Sequence, residues 1–335
     1  KILPSIVYNN TTTEYWESSP KMGRGNPKHQ FAGDAHYWGV WHDAEPFEVF
    51  EEKIPRFMSE FGFQSFPNMQ TIKSFADSTQ LKLDSDVMRS HQKHPRGNEL
   101  ILEYMKREYP VPESFEKFVY ASQVLQAEGV RKGLEAHRRN QPYCMGTLYW
   151  QLNDCWPVAS WSSIDYYGNW KALHYAAQDV FAPTAISLSI DSTGKYSVWI
   201  MSDQNQKGQD ILETIVFDVE GNKAIMIDSV KIPENGSIKV KSGMLEDNQI
   251  IRCSLKKRGS QSRTLFSKPV KEVLLKEPEI ETLWRGDTLF LTAKRPAHQI
   301  YIHGLKGHFS DNFFTLLPNE EKAVVFNGYL EEKNN

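Results

Sequence analysis

Only three cysteines occur in the 335 residues (Cys144, Cys155 and Cys253), too few and too scattered for a disulfide framework or a thiolate zinc site. No stretch approaches the roughly 20 apolar residues that a membrane span needs. Charge of either sign is not in excess: 39 Lys and Arg against 42 Asp and Glu leave a net charge of −3. That near-balance lacks the basic footprint of a protein that binds nucleic acid or an anionic membrane, so neither partner is expected. Repeats and low-complexity segments are missing too. The first residues, Lys1-Ile2-Leu3-Pro4, contain neither an initiator Met nor a signal-peptide pattern, and the expectation is an internal piece or a processed product. These absences leave a globular, near-neutral chain long enough for two or three domains.

What is present is unevenly distributed. Seven of the nine tryptophans (Trp16, Trp38, Trp41, Trp150, Trp156, Trp161 and Trp170) precede Pro183, and so do the helical signals. Pro112-Glu113 suits a first helical turn, and Phe115, Phe118, Val119, Ser122, Leu125, Val130 and Leu134 keep one face. The spacing predicts a helix over about 113–139. A second is predicted after Gly168, where Trp170, Leu173, Ala177 and Phe181 recur before Pro183 stops it. Beyond Pro183 the period changes to two, as in Ile186-Ser187-Leu188-Ser189-Ile190, with turns at Thr193-Gly194, Glu220-Gly221-Asn222 and Asn235-Gly236. About seven short strands of this kind predict an immunoglobulin-like β-sandwich over 183–272. The alternation resumes in Thr288-Leu289-Phe290-Leu291, Gln299-Ile300-Tyr301-Ile302 and Ala323-Val324-Val325-Phe326, predicting a second, shorter β-domain over 273–335. Residues 1–182 offer three strand candidates, near Gly33–Trp38, Arg56–Phe61 and Gly146–Gln151, between helical stretches. Alternation of that kind implies parallel βα units, and three strands are fewer than a free-standing α/β domain has.

Each of these three strands ends in aromatic and polar residues. Glu60 ends an apolar run just before Gly62. Asp34-Ala35-His36-Tyr37-Trp38-Gly39-Val40-Trp41-His42-Asp43 ends another, and Gly146-Thr147-Leu148-Tyr149-Trp150-Gln151-Leu152-Asn153-Asp154-Cys155-Trp156-Pro157 the third. A strand-end carboxylate is a nucleophile, a base or a ligand in a βα barrel, or simply half of an ion pair with Arg56. Flat aromatic faces beside carboxylates suit sugars, although a single Trp more often belongs to a core.

Ser59-Glu60-Phe61-Gly62-Phe63-Gln64-Ser65, with Gly33–His42 before it and Gly146–Pro157 after it, closely resembles glycoside hydrolase family 2 in its β-mannosidase branch. The resemblance is strong over 1–182 and weak in the β-domains. It implies a multidomain α/β plus all-β architecture: the C-terminal part of a (β/α)8 TIM barrel (1–182, strands six to eight) followed by two immunoglobulin-like β-sandwich domains. It implies retaining removal of terminal β-mannose from mannose-containing oligosaccharides, without metal or cofactor. Glu60 matches the nucleophile; Trp150 matches an aromatic bordering the terminal sugar, and His36, Tyr37, Trp38 and Trp41 are carried over as its other neighbours. Tyr37 is expected to donate to Glu60 and favour its charged form. The family is lysosomal in animals and exported or periplasmic in bacteria.

The chain departs from the family at the acid/base, a Glu after Asn on an earlier strand. Asn98-Glu99 follows Glu60 and opens a helical stretch, so Glu99 is read as a first-turn residue. The expectation is that the acid/base and the N-terminal part of the enzyme lie outside this chain, and that the chain alone is inactive. His91/His94 and the group Asp34, His36, His42 and Asp43 are weak metal candidates, and the strand reading puts Asp43 on the opposite face. Asn9-Asn10-Thr11 and Asn235-Gly236-Ser237 fit the glycosylation pattern. Arg131-Lys132 and Arg138-Arg139 read as the solvated face of the long helix. Two other readings remain open: a non-catalytic carbohydrate-binding protein, and a related β-glucosaminidase or β-galactosidase.

Overall fold

The computed structural model describes residues 2–23, 25–219, 222–257, 262–273 and 275–328; the turn at Glu220-Gly221-Asn222 falls partly outside them. Among the described residues no helix is long and apolar enough to cross a membrane.

The first region is built around helix Phe115–Arg139. Ser114 caps it by accepting from the Lys117 backbone N–H at 3.3 Å, so Pro112 lies outside the cap rather than in the first turn. His137, Arg138 and Arg139 occupy the last turn, where the helix dipole favours cations. The helix ends within a residue or two of the expected limits, and the second predicted helix runs Ala172–Val180. Gly129 and Gly133, four apart, cut a notch in the long helix. A Cβ on Gly129 would lie 2.2 Å from the Phe47 ring, and one on Gly133 would lie 2.5 Å from the Phe61 ring. Two interior glycines cost about 1 kcal/mol each in helix propensity; here they let Phe47, Phe61 and Phe63 pack directly against the helix in one core with Phe50, Tyr104 and Leu134.

Parallel pairing in this region is brief. Ala35–His36 (β1) pairs with Met58–Glu60 (β2), with Ala35 opposite Met58 and His36 opposite Glu60. The third segment joins through a parallel bridge between Met58 and Thr147 rather than as a full strand.

Beyond Pro183 the chain is antiparallel. Thr184–Ile190 (β3), Lys195–Ser202 (β4), Gly208–Asp218 (β5), Lys223–Ile232 (β6), Gly236–Met244 (β7), Gln249–Leu255 (β8) and Ser262–Phe266 (β9) form two sheets. Their orders are β3-β4-β7 and β6-β5-β8-β9. Alternate residues of both sheets, among them Leu188, Val198, Ile200, Leu212, Ile251 and Cys253, close over one core. Burial pushes the Cys253 thiol up to about 11, so it acts as a small hydrophobe. Ile280–Arg285 (β10), Thr288–Ala293 (β11), Ala297–Ile300 (β12), Gly307–Phe309 (β13), Phe314–Leu316 (β14) and Lys322–Gly328 (β15) make a smaller pair of sheets around Leu289, Leu291, Leu316, Val324 and Phe326.

The basic pairs of the long helix are not its solvated face. Arg138 donates to the carbonyls of Val180 and Ala182 and pairs with Asp203 at 2.8 Å. Arg139 reaches Glu51 at 2.6 Å and Ser187 at 2.7 Å. Arg131 pairs with Asp179 at 3.2 Å, while Lys132 alone stays at the rim against Glu48. From β9, Arg263 bridges Glu128 at 3.0 Å and Glu135 at 2.9 Å. Burial works against the Glu128 carboxylate, but Arg263 and Arg131 hold it down to about 2. The helix is therefore the spine on which the first β-sandwich docks, and charge periodicity alone cannot tell such an interface from a surface.

Candidate active site

Glu60 is the last residue of β2, and the pairing around it is continuous. The Ala35 N–H donates to the Phe57 carbonyl and the Tyr37 N–H to the Glu60 carbonyl, both at 2.8 Å. On the other side Leu148 donates to Met58, and Trp150 to Phe61, again at 2.8 Å. His36, Glu60 and Trp150 thus stand on three adjacent segments at one end of the strip. Gly62 permits the closest approach: a Cβ there would lie 2.3 Å from the Trp150 carbonyl oxygen. The peptide between Trp150 and Gln151 is cis.

The strand continues into irregular backbone that the long helix satisfies. Gln126 donates to the Phe63 carbonyl at 2.8 Å and accepts from Ser65 at 2.7 Å; Gln123 donates to the Phe66 carbonyl at 3.2 Å. The Ser-Glu-Phe-Gly-Phe-Gln-Ser string therefore combines two core aromatics, a close-approach glycine and a capped exit around one carboxylate.

The Glu60 Oε2 lies 3.2 Å from the Trp38 Nε1, which donates to it, and 3.2 Å from the His36 Nδ1. Its side chain is 27% exposed, enough to meet a ligand. Trp38 stands edge-on to Trp161, with ring centroids 6.1 Å apart, and Trp161 stands edge-on to Trp41 at 5.7 Å. Trp150 is 44% exposed beside them. Below, Asp34 accepts from Ser59 at 2.6 Å and from Ser19 at 2.5 Å. Partial burial opposes its charge, yet these hydroxyls hold its carboxyl below the ordinary value.

Two expected neighbours of the sugar fall elsewhere. Trp41 is fully buried, on the short helix Gly39–His42, packed against Phe63, His94 and Trp161; it supports the wall instead of lining it. Tyr37 donates to Glu45, not to Glu60. The donor to Glu60 is the next residue, Trp38, because β1 ends at His36 and the chain turns into the short helix. That turn also takes His42 off the strand, so Asp34, His36 and His42 do not share a strand face. Glu99 lies in the first turn of helix Gly97–Glu108, as read from the sequence. His91 stacks on Phe75 at 3.8 Å and bonds the Pro157 carbonyl at 2.7 Å. Among the described residues no group of three or more His, Cys, Asp or Glu side chains is arranged to hold a metal ion. Trp161 and Asp34 escaped the sequence reading as site supports. Trp161 sits in Val158-Ala159-Ser160-Trp161-Ser162-Ser163, a small-residue run that crosses back to the strip through the Ser65–Ser160 bridge.

One end of the strip thus carries a strand-end carboxylate held by an indole and an imidazole, beside an exposed tryptophan. The Ig_mannosidase family model, an Ig-fold domain, matches residues 275–335. Along its whole length the chain is similar to β-mannosidases of glycoside hydrolase family 2, as the Ser59–Ser65 string implied. β-Mannosidase B of Aspergillus oryzae is 28% identical over 363 residues, covering 98% of this chain and 43% of the relative. The crystal structure of β-D-mannosidase from Dictyoglomus thermophilum superposes with a TM-score of 0.89 at 27% identity, over 99% of this chain and 43% of that one. An exo-chitosanase from Amycolatopsis orientalis shares the fold at 16% identity, with a TM-score of 0.66 over 89% of this chain and 42% of that one. The chain spans less than half the length of the relatives it matches.

Proposed function

We propose that this chain supplies the nucleophile half of a retaining β-mannosidase that removes terminal non-reducing β-mannose from oligosaccharides. In this reading residues 1–182 are the last three βα units of a (β/α)8 barrel, and 183–272 and 273–335 are immunoglobulin-like domains packed beside it. The observation that carries the reading is the placing of Glu60. It ends a parallel strand, keeps partial exposure, and has both neighbours on Oε2, leaving the other oxygen unengaged among the described residues. In a retaining displacement that oxygen attacks the anomeric carbon while a second carboxylic acid, about 5–5.5 Å away, protonates the leaving oxygen. Water, giving its proton to that second residue now acting as base, then attacks the anomeric carbon from the face the leaving group vacated, opposite Glu60. The bond to Glu60 breaks, the carboxylate is released and configuration is retained. Trp38 and His36 orient the carboxylate, and Trp150 offers its face to the sugar. The second acid belongs to the N-terminal part of the enzyme, which is the partner this chain requires.

An activated aryl β-mannoside tests the reading. The 335-residue chain alone is expected to be silent even toward this substrate, whose leaving group needs little of the roughly 10²–10⁴-fold that a general acid contributes, because a pocket spread over eight strand ends is not organised by three. Adding the N-terminal part restores turnover, and Glu60→Gln removes it. Turnover by the isolated chain, lost in Glu60→Ala, would refute the split of labour. Preference of the restored enzyme for a β-glucosaminide would replace the sugar while leaving the mechanism intact.

A further inference from the structure

A cavity of about 520 Å³ lies where the N-terminal half of the long helix meets the last β-domain, and it shares no lining residue with the Glu60 site. Its volume falls within the range of about 300–1,000 Å³ usual for small-molecule sites. We propose that it is a second saccharide site, binding a neutral oligosaccharide without cleaving it.

Two aromatic pairs frame it. Trp170 stacks on His308 with centroids 4.2 Å apart and planes 18° apart, and Tyr120 stacks on Tyr301 at 5.9 Å and 23°. Each pair joins the first region to the last domain. The wall is fixed beforehand: Asn312 clamps Ile302 through two hydrogen bonds of 2.8 Å, closing the loop between them, and the Tyr120 hydroxyl donates to the Gln299 carbonyl at 2.5 Å. A preformed wall lowers the ordering cost of binding.

Gln123 ties the long helix to the wall from behind. It lines the cavity, is 98% buried, and donates from Nε2 to Asn68 Oδ1 at 2.8 Å and to the Phe66 carbonyl. Both partners are acceptors, which fixes the orientation of the amide. Its Oε1 then has no hydrogen-bond partner among the described residues. A buried acceptor left unmade costs about 1–3 kcal/mol; this oxygen has no appreciable exposed surface, so it lies behind the cavity wall and is not a contact for the ligand. Aromatic faces with carboxamides and no buried cation in the wall match the C–H faces and hydroxyls of a sugar, and not a phosphate or a carboxylate. The charged lining groups, Lys73, Lys117 and Glu116, are exposed at the rim.

The probes are β-1,4-mannotetraose and cellotetraose, followed by saturation-transfer NMR and by the thermal midpoint of the 335-residue chain. Gln70→Arg places a long charged side chain across the exposed mouth and is expected to weaken binding at least tenfold with an unchanged midpoint in the absence of sugar. His308→Ala, which unstacks Trp170, is the second variant should the first not fold. Trp150→Ala, at the other site, is expected to leave this binding intact, which keeps the proposal separable from the catalytic reading. No binding of either sugar at about 1 mM, or binding that survives Gln70→Arg and His308→Ala, overturns it. So does binding that Trp150→Ala abolishes.

Discussion

The two halves of the molecule hold their shape in opposite ways. After Pro183, strands of up to eleven residues pair antiparallel, with shifts of register at Val198/Trp199 and Ala297/Ile300, and each β-domain closes a core of its own. Before it, the strands that carry Glu60 and His36 are three and two residues long. The strip is positioned instead by what surrounds it: notch glycines, a helix whose amides cap irregular backbone, and an aromatic wall. Strand pairing holds most of the β-domains together, with a further cluster of Phe217, Ile250, Phe266 and Leu317 joining the two, whereas the site depends on distant packing. Between them lies a band of buried ion pairs.

That band is where the largest effect is expected. Arg263→Ala leaves Glu128 and Glu135 facing each other without their shared cation, and about 3–5 kcal/mol of stability should be lost. Urea unfolding followed by Trp fluorescence, which reports mainly the first region, and by hydrogen exchange of the amides of β3 to β9, which reports the sheets, should then separate into two transitions. Coincident transitions with an unchanged midpoint would remove the band from the account of how the halves dock.

Acid should act next. Burial pushes His137 and His298 each down to about 4. Unfolded imidazoles titrate near 6.5, so between pH 6.5 and 4 the unfolded chain binds more protons and stability falls with pH, by at most about 3 kcal/mol per imidazole. Glu128, held at about 2, adds a further loss below pH 4.5. Urea midpoints measured from pH 7 to pH 4 check the slope, and His298→Gln should flatten it.

A smaller cost is expected from filling the notch. Gly133→Ala drives a methyl into the Phe61 ring beneath Glu60, an overpacking of about 1–3 kcal/mol. Catalysis by the restored enzyme should suffer more than stability, since Phe61 is the next residue after Glu60, the nucleophile in the proposed reaction. In the β-domain, Ile225→Thr on the exposed face of β6 should change stability by no more than about 0.5 kcal/mol.

The same contrast explains what was legible beforehand. Period-two runs pointed to a sandwich of about seven strands because one face of each strand is buried. The parallel strip has no such period, and Glu60 stood out only through the string of residues around it. Trp41 and Trp38 look alike in the sequence; a four-residue helix sends one into the core and the other to the carboxylate. Arg138 and Arg139 read as surface because nothing local announces Asp203, Glu51 and Ser187 as their partners.

The most direct measurement is covalent capture. The enzyme reassembled from this chain and its N-terminal part is treated with a 2-fluoro-β-mannosyl inactivator, which stalls a retaining enzyme at its glycosyl intermediate, and the labelled peptide is sequenced. The label is expected on Glu60, with Glu60→Gln unlabelled and still folded. Inactivation with the label on any other carboxylate would contradict the role given to Glu60 and, with it, the reason for the strip, the wall and the notch.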